Sequence, residues 1–212
     1  TQNQAFAALL FFFRYALKKE VGQIGPSLKA DRKKRLPVVL TQNEVMRVMS
    51  FMSGLPLLMA RLIYGSGMRL QECIRLRVKD LDFERSTIVI RFGKGEKDRQ
   101  TLFPERLKDD LRRHLEQIRN VFEEDAANPH LSGVYLPNAL SRKYPGAGRE
   151  WSWQWVFPSM KLSVDPRTGK VRRHHVHPSN LQQRFRTAVK KSGIEKPASV
   201  HSLRHCFATH LL

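Results

Sequence analysis

Apolar residues recur along this chain at two periods, and the change from one to the other marks its elements. Thr1 to Lys19 is rich in Ala, Leu and Phe and reads as one helix ending in Lys18-Lys19. Glu20 to Pro37 breaks the pattern with Gly22, Gly25, Pro26 and the charged run Asp31 to Arg35. Thr41-Gln42-Asn43-Glu44 is a capping box, so a helix should begin there and run to about Met52. Leu55 to Tyr64 is strongly apolar, predicting a buried helix stopped by Gly65-Ser66-Gly67. Leu70, Cys73, Ile74 and Arg77 suggest a further helix over Leu70 to Arg77. Thr87 to Phe92 is β-rich, Gly93 to Asp98 is a turn, and Arg99 to Phe103 returns, which makes a hairpin. Helical spacing resumes through Leu107, Leu111, Leu115, Ile118 and Val121, within Pro104 to about Glu124.

Ala126 to Met160 is irregular and holds Trp151, Trp153 and Trp155. Aromatics at period two fit one face of a strand, but no long apolar flank surrounds them, so they also fit an exposed stacking platform. Asp165-Pro166-Arg167-Thr168-Gly169 signals a turn, and a basic stretch follows to His177. Ser179 can cap a helix from Asn180 to about Lys191, with Leu181, Phe185 and Val189 inward. The last helix, from Ser199, puts Leu203, Cys206, Phe207, His210 and Leu211 on one stripe. The expected fold is mainly α with a small antiparallel hairpin, an α+β class.

Charge changes the picture most. The 212 residues carry 38 Lys+Arg against 19 Asp+Glu, a formal net charge of +19. A polyanion is then the expected partner, because each neutralised phosphate releases condensed counterions. No apolar run of 18 residues suggests a membrane span, and no signal peptide is visible. Cys73 and Cys206 sit in apolar helical patterns and read as reduced core thiols of a cytoplasmic protein. Thr1 stands inside a helical pattern and no helix stop follows Leu212, so a longer parent chain is expected.

Three separated segments offer phosphate chemistry. Arg69 follows the glycine-rich helix end, Lys94 stands between two glycines at the hairpin tip, and His201 and Arg204 share a face of the last helix. With Ser199 as N-cap, His201 lies in the first turn, where unpaired N–H groups favour an anion. Two guanidiniums can clamp phosphate oxygens, a lysine can protonate a leaving oxygen, and an imidazole can accept a proton. Lys33, Lys34 and Arg35, with Arg172 and Arg173, are candidates to lie along a DNA backbone.

This ordered set resembles the tyrosine recombinase (phage integrase) family over nearly the whole chain. Gly65-x-Gly67-x-Arg69, Gly93-Lys94-Gly95 and His201-x-Leu203-Arg204-His205-x-Phe207-Ala208-Thr209-His210-Leu211-Leu212 stand in the family's order. Leu36 to Thr41, Arg142-Lys143-Tyr144-Pro145, the Trp-rich segment and Val171-Arg172-Arg173-His174-His175 look like the integron integrase branch. The resemblance implies that residues 1–20 end a truncated core-binding domain, that 21–37 form a linker, and that 38–212 are a catalytic domain with an insertion at about 126–160. It implies Arg69 and Arg204 on the scissile phosphate, Lys94 as proton donor to the 5′-oxygen, and His201 as proton acceptor or phosphate ligand. In and just after the insertion, the resemblance implies that Trp153 and Pro166 would sandwich one base flipped from a folded single-strand hairpin, while His174 and His175 contact another. The partners implied are double-stranded DNA, such hairpins, and further copies of the protein in a tetramer on paired DNA. No cofactor is implied.

The nucleophilic tyrosine of the family would lie past Leu212. None of Tyr15, Tyr64, Tyr135 and Tyr144 takes its place, so these residues should bind DNA without cleaving it. A DNA-binding module without chemistry is the alternative, and it explains the charge but not the ordered Arg69, Lys94, His201 and Arg204. A zinc site built from His201, His205 and Cys206, or from His174, His175 and His177, lacks a four-ligand spacing.

Overall fold

The computed structural model describes residues 2–20, 22, 36–91 and 98–211. Lys33, Lys34, Arg35 and Lys94, with the rest of the hairpin tip at 92–97, lie outside the described residues. The chain divides into two units, Thr1–Leu36 and Pro37–Leu212. In the first, helix α1 (Gln2–Phe11) runs into a π-helical turn at Phe12–Ala16, rather than the single regular helix expected to Lys19. Neither segment buries a residue, and Phe11, Phe12 and Tyr15 are exposed.

The second unit is built on helices α2 (Gln42–Ser50), α3 (Gly54–Ser66), α7 (Pro178–Lys191) and α8 (Val200–His210). The capping box at α2 forms as expected: Thr41 Oγ1 accepts from the Glu44 amide, and the Glu44 carboxylate accepts from the Thr41 amide. Helix α3 is central, with Met59, Leu62 and Ile63 buried against α8 and α7. Leu203 and Cys206 of α8 complete this core, and burying a side chain such as that of Leu203 contributes about 1.5–3 kcal/mol. The amide of Leu40 donates to Cys206 Sγ at 3.2 Å, so the thiol also ties the chain entry to the last helix. Leu211, placed on the apolar stripe by periodicity, is exposed.

Several elements depart from the pattern. Helix α4 spans only Leu70–Ile74, because Arg77 is drawn into an antiparallel bridge with Trp155 and caps a short turn through Asp80. The hairpin is a three-stranded sheet: β1 (Leu81–Asp82), β2 (Thr87–Ile90) and β3 (Arg99–Leu102), all antiparallel. A short 3-10 turn precedes α5 (Lys108–Ala127). The stretch read as irregular, Ala126 to Met160, contains α6 (Asn138–Lys143) and the start of a strand, β4 (Pro158–Val164), which pairs with β5 (Val171–His175). Helix α7 starts at Pro178 with His177 as N-cap, not Ser179: His177 Nδ1 accepts from the Ser179 amide. No described helix is long and apolar enough to cross a membrane.

Candidate nucleic-acid site

The turn from α3 to α4 shapes the first part of the site. Gly67 adopts a left-handed conformation, φ 65°, and caps α3. Its carbonyl accepts a hydrogen bond from Arg204 on α8. A Cβ here would come within 2.5 Å of Phe207 Cε1, so only glycine lets α8 approach this closely. Two residues on, Arg69 is the N-cap of α4 and its Nη1 donates to Glu72 Oε1 at 2.8 Å. The Glu72 side chain is only 7% exposed, whereas that of Arg69 remains 37% exposed. Arg69 is thus braced from behind and open in front.

His201 lies in the first turn of α8, as its N-cap Ser199 predicted, and is exposed. Burial and then the neighbouring His205, Arg204 and Arg69 hold its imidazole below the usual histidine range. Its ring meets His205 edge to face at 4.6 Å between centroids. Arg204 is half-buried, and burial followed by Arg69 and Arg99 lowers its pKa. The structure therefore brings Arg69, His201 and Arg204 into one positively charged cluster. It adds Arg99, which the pattern reading did not single out. An imidazole kept neutral can take a proton, and guanidiniums crowded together are relieved by an anion. No group of three or more His, Cys, Asp or Glu suited to a metal occurs among the described residues.

The second part is a cavity of about 760 Å³ beside that cluster. It starts at Gln71 and Glu72, on α4, and runs to the β4–β5 hairpin. Trp153, Pro166, His174 and His175 all line it. So do Arg172 and Arg173, but their guanidiniums point to protein groups. Arg173 forms a bidentate pair with Asp125 and also donates to the Ser159 carbonyl at 2.8 Å. Arg172 donates to the Ser132 carbonyl at 2.6 Å.

The tryptophans form neither a strand face nor an exposed platform. Trp151 and Trp153 share a 3-10 turn, with Trp151 packed on Phe122 of α5. Trp155 is buried, with the Arg77 guanidinium over its ring at 3.8 Å. Arg77 also donates to the carbonyls of Trp153 and Tyr135, so it is the post on which the insertion hangs. Trp153 is half-buried at the cavity wall with Lys79 Nζ 2.7 Å from its ring centre. Burial, then Arg91, pushes that ammonium down to about 8.

His174 stacks parallel to Trp155, and His175 meets the same ring edge-on. Burial lowers both imidazoles, that of His175 to about 4, so both are neutral at pH 7. His174 Nδ1 accepts from the His175 amide, and His175 Nδ1 contacts the Val176 carbonyl at 2.9 Å and so must carry its proton. The remaining nitrogens are then one donor, His174 Nε2, and one acceptor, His175 Nε2. Such a pair suits the edge of a nucleobase.

Comparison with known proteins bears on the fold and the family. Residues 38–212 match the model of the phage integrase family. An integrase/recombinase of Escherichia coli is 49% identical over the whole chain, which spans 63% of that protein. The tyrosine recombinase XerC of Lactobacillus delbrueckii subsp. bulgaricus is 28% identical over 97% of the chain and 68% of its own length. Among solved structures, XerA recombinase aligns over 99% of this chain and 61% of its own, with a TM-score of 0.53 and 24% identity. The post-cleavage complex of the XerH site-specific recombinase with DNA aligns over 97% of this chain and 54% of its own, with a TM-score of 0.60 and 20% identity. A match across 38–212 makes this chain a member of the phage integrase family, the tyrosine recombinases.

Proposed function

We propose that this chain is the catalytic part of an integron-type site-specific recombinase, which integrates and excises gene cassettes through a 3′-phosphotyrosine intermediate. Arg69 and Arg204 hold the scissile phosphate. A tyrosine oxygen attacks phosphorus, the bond to the 5′-oxygen breaks, His201 takes the tyrosine proton or binds a phosphate oxygen, and Lys94 protonates the departing oxygen. The reverse sequence rejoins the strand, so the phosphodiester energy is conserved and no cofactor is needed. The observation that carries this reading is the convergence of Arg69, His201 and Arg204 where Arg204 bonds the Gly67 carbonyl.

We assign the nucleophile to none of Tyr15, Tyr64, Tyr135 and Tyr144. Tyr64 is hydrogen-bonded to His210 at 2.8 Å, and Tyr135 receives a hydrogen bond from Arg167 in the insertion. The domain order follows the resemblance: a core-binding domain ending at about residue 20, a linker carrying Lys33, Lys34 and Arg35 along DNA, and the catalytic domain from 38. Four copies act on paired DNA in the cytoplasm.

The integron branch is supported by the cavity. In this reading Trp153 and Pro166, which both line the cavity, sandwich a flipped base once Lys79 gives way, and His174 and His175 offer a donor and an acceptor to a second. Arg172 and Arg173 support the cavity wall rather than touch phosphate. The test is binding to a DNA hairpin with extrahelical bases against the same stem fully paired. We expect the hairpin to bind at least tenfold tighter and Trp153→Ala to remove most of that preference, since one base stack contributes about 1–3 kcal/mol. Equal binding to both DNAs would reject the integron assignment.

A further inference from the structure

The carboxylate of Glu72 stands between two guanidiniums. Its Oε1 accepts from Arg69 Nη1 at 2.8 Å. Its Oε2 accepts from the Arg69 backbone amide at 2.7 Å and from Arg99 Nη2 at 2.8 Å. We propose that Arg99 is a positioning residue of the phosphate site, acting through Glu72 to keep the Arg69 guanidinium free for a phosphate. The inference rests on the reading of Arg69 and Arg204 as the phosphate clamp.

Two arginines compete for one carboxylate. A carboxylate facing a lone arginine closes into a two-bond fork, which would use the face of Arg69 that a phosphate needs. Arg99 occupies Oε2 and denies Arg69 the second bond. Arg69 keeps one contact, for orientation, and its other N–H groups remain free to bind both oxygens of a phosphate. The partly exposed Arg69 and the nearly buried Glu72 fit that division of labour.

Arg99 is well placed for the task. It opens strand β3, and Thr101, two residues on and therefore on the same face, donates to the Ser66 carbonyl at 2.6 Å. β3 is thus fastened to the turn that carries Arg69 at two points. Arg69 and Arg99 bond the one nearly buried carboxylate while Arg204, close enough to feel all three, bonds the Gly67 carbonyl, so the cluster keeps a positive surplus for an incoming anion. Among the described residues Arg99 Nη1 is buried with no hydrogen-bond partner, a costly arrangement for a group that served packing alone.

The test is titration of residues 1–212 with inorganic phosphate, followed by NMR on the His201 ring and the arginine side chains. In wild-type protein the shifts should centre on Arg69, His201 and Arg204. Arg99→Met should raise the phosphate dissociation constant about tenfold, the loss of one charge-assisted hydrogen bond, while Arg99→Lys stays within about threefold of wild type. Should the methionine variant fail to fold, Arg99→Gln replaces it, since glutamine can touch Glu72 without charge. A drop in melting temperature with an unchanged phosphate constant would mean that Arg99 only ties β3 to α4, and would overturn the inference. Lys behaving like Met would overturn it too. Arg204→Gln separates the two ideas: if it leaves phosphate binding untouched, the clamp itself is wrong, whereas if it abolishes binding and Arg99→Met does not, only the role of Arg99 falls.

Discussion

Replacing Gly67 by alanine should damage both the fold and the site, and the two effects can be separated. At φ 65° a Cβ costs about 1–2 kcal/mol. The new methyl would also come within 2.5 Å of Phe207 Cε1, and overpacking of this kind costs about 1–3 kcal/mol. The expected loss is about 2–5 kcal/mol, which for a domain of this size lowers the melting temperature by roughly 5–15 °C. Because the Gly67 carbonyl receives the Arg204 guanidinium, the same shift should weaken phosphate binding. Phe207→Leu in the Gly67→Ala background should return the packing part and leave the backbone part, giving a coupling of about 1 kcal/mol or more in a double-mutant cycle. Calorimetry on the four proteins measures it. A melting temperature within about 2 °C of wild type, or strictly additive mutations, would refute the close approach of α8 to the α3–α4 turn.

Two further outcomes follow from the insertion. Unfolded histidine takes its proton near pH 6.5, whereas folded His175 does so only at about 4, because of burial and then nearby cationic groups. Between those values the unfolded chain binds more protons, so stability should fall as pH drops from 6.5 towards 4, with His114 adding to the same trend. Thermal melts at pH 7.5 and 5 should show the loss, and His175→Gln should flatten it; a melting temperature that rises on acidification would contradict the buried neutral imidazole. Arg77→Met should cost about 2–4 kcal/mol in urea unfolding, because it leaves two carbonyls without a donor and strips the cation from Trp155. A cost under about 0.5 kcal/mol would show that Arg77 does not hold the insertion.

Local signals carried the helical half of the molecule. The capping box of α2, the glycine stop of α3 and the N-cap of α8 each depend on residues within a few positions, so Thr41, Gly67 and Ser199 stand where the pattern put them. Arg69 and His201 stand out for the same reason, since each sits at the start of a helix, and Arg204 follows His201 by three positions on the same helix. The insertion was not. Trp153 and Trp155 are set by Arg77, an arginine 76 and 78 positions away, which looked like the end of a helix. Strand β5 read as a basic stretch because its pairing with β4 around the Asp165–Gly169 turn makes a strand that neither half announces alone. Arg99 and Glu72 are ordinary surface types in sequence, and only their meeting across 27 positions gives them a role.

In the proposed reaction Arg69, His201 and Arg204 surround a DNA phosphate under attack, and covalent capture tests that directly. It uses the chain extended to the length of its relatives and hairpin DNA selected from a randomised pool by binding. A protein–DNA adduct on a denaturing gel, lost in Arg204→Gln while DNA binding persists, is the predicted result. An adduct that forms equally well without Arg204, or DNA binding with no adduct at all, would contradict it.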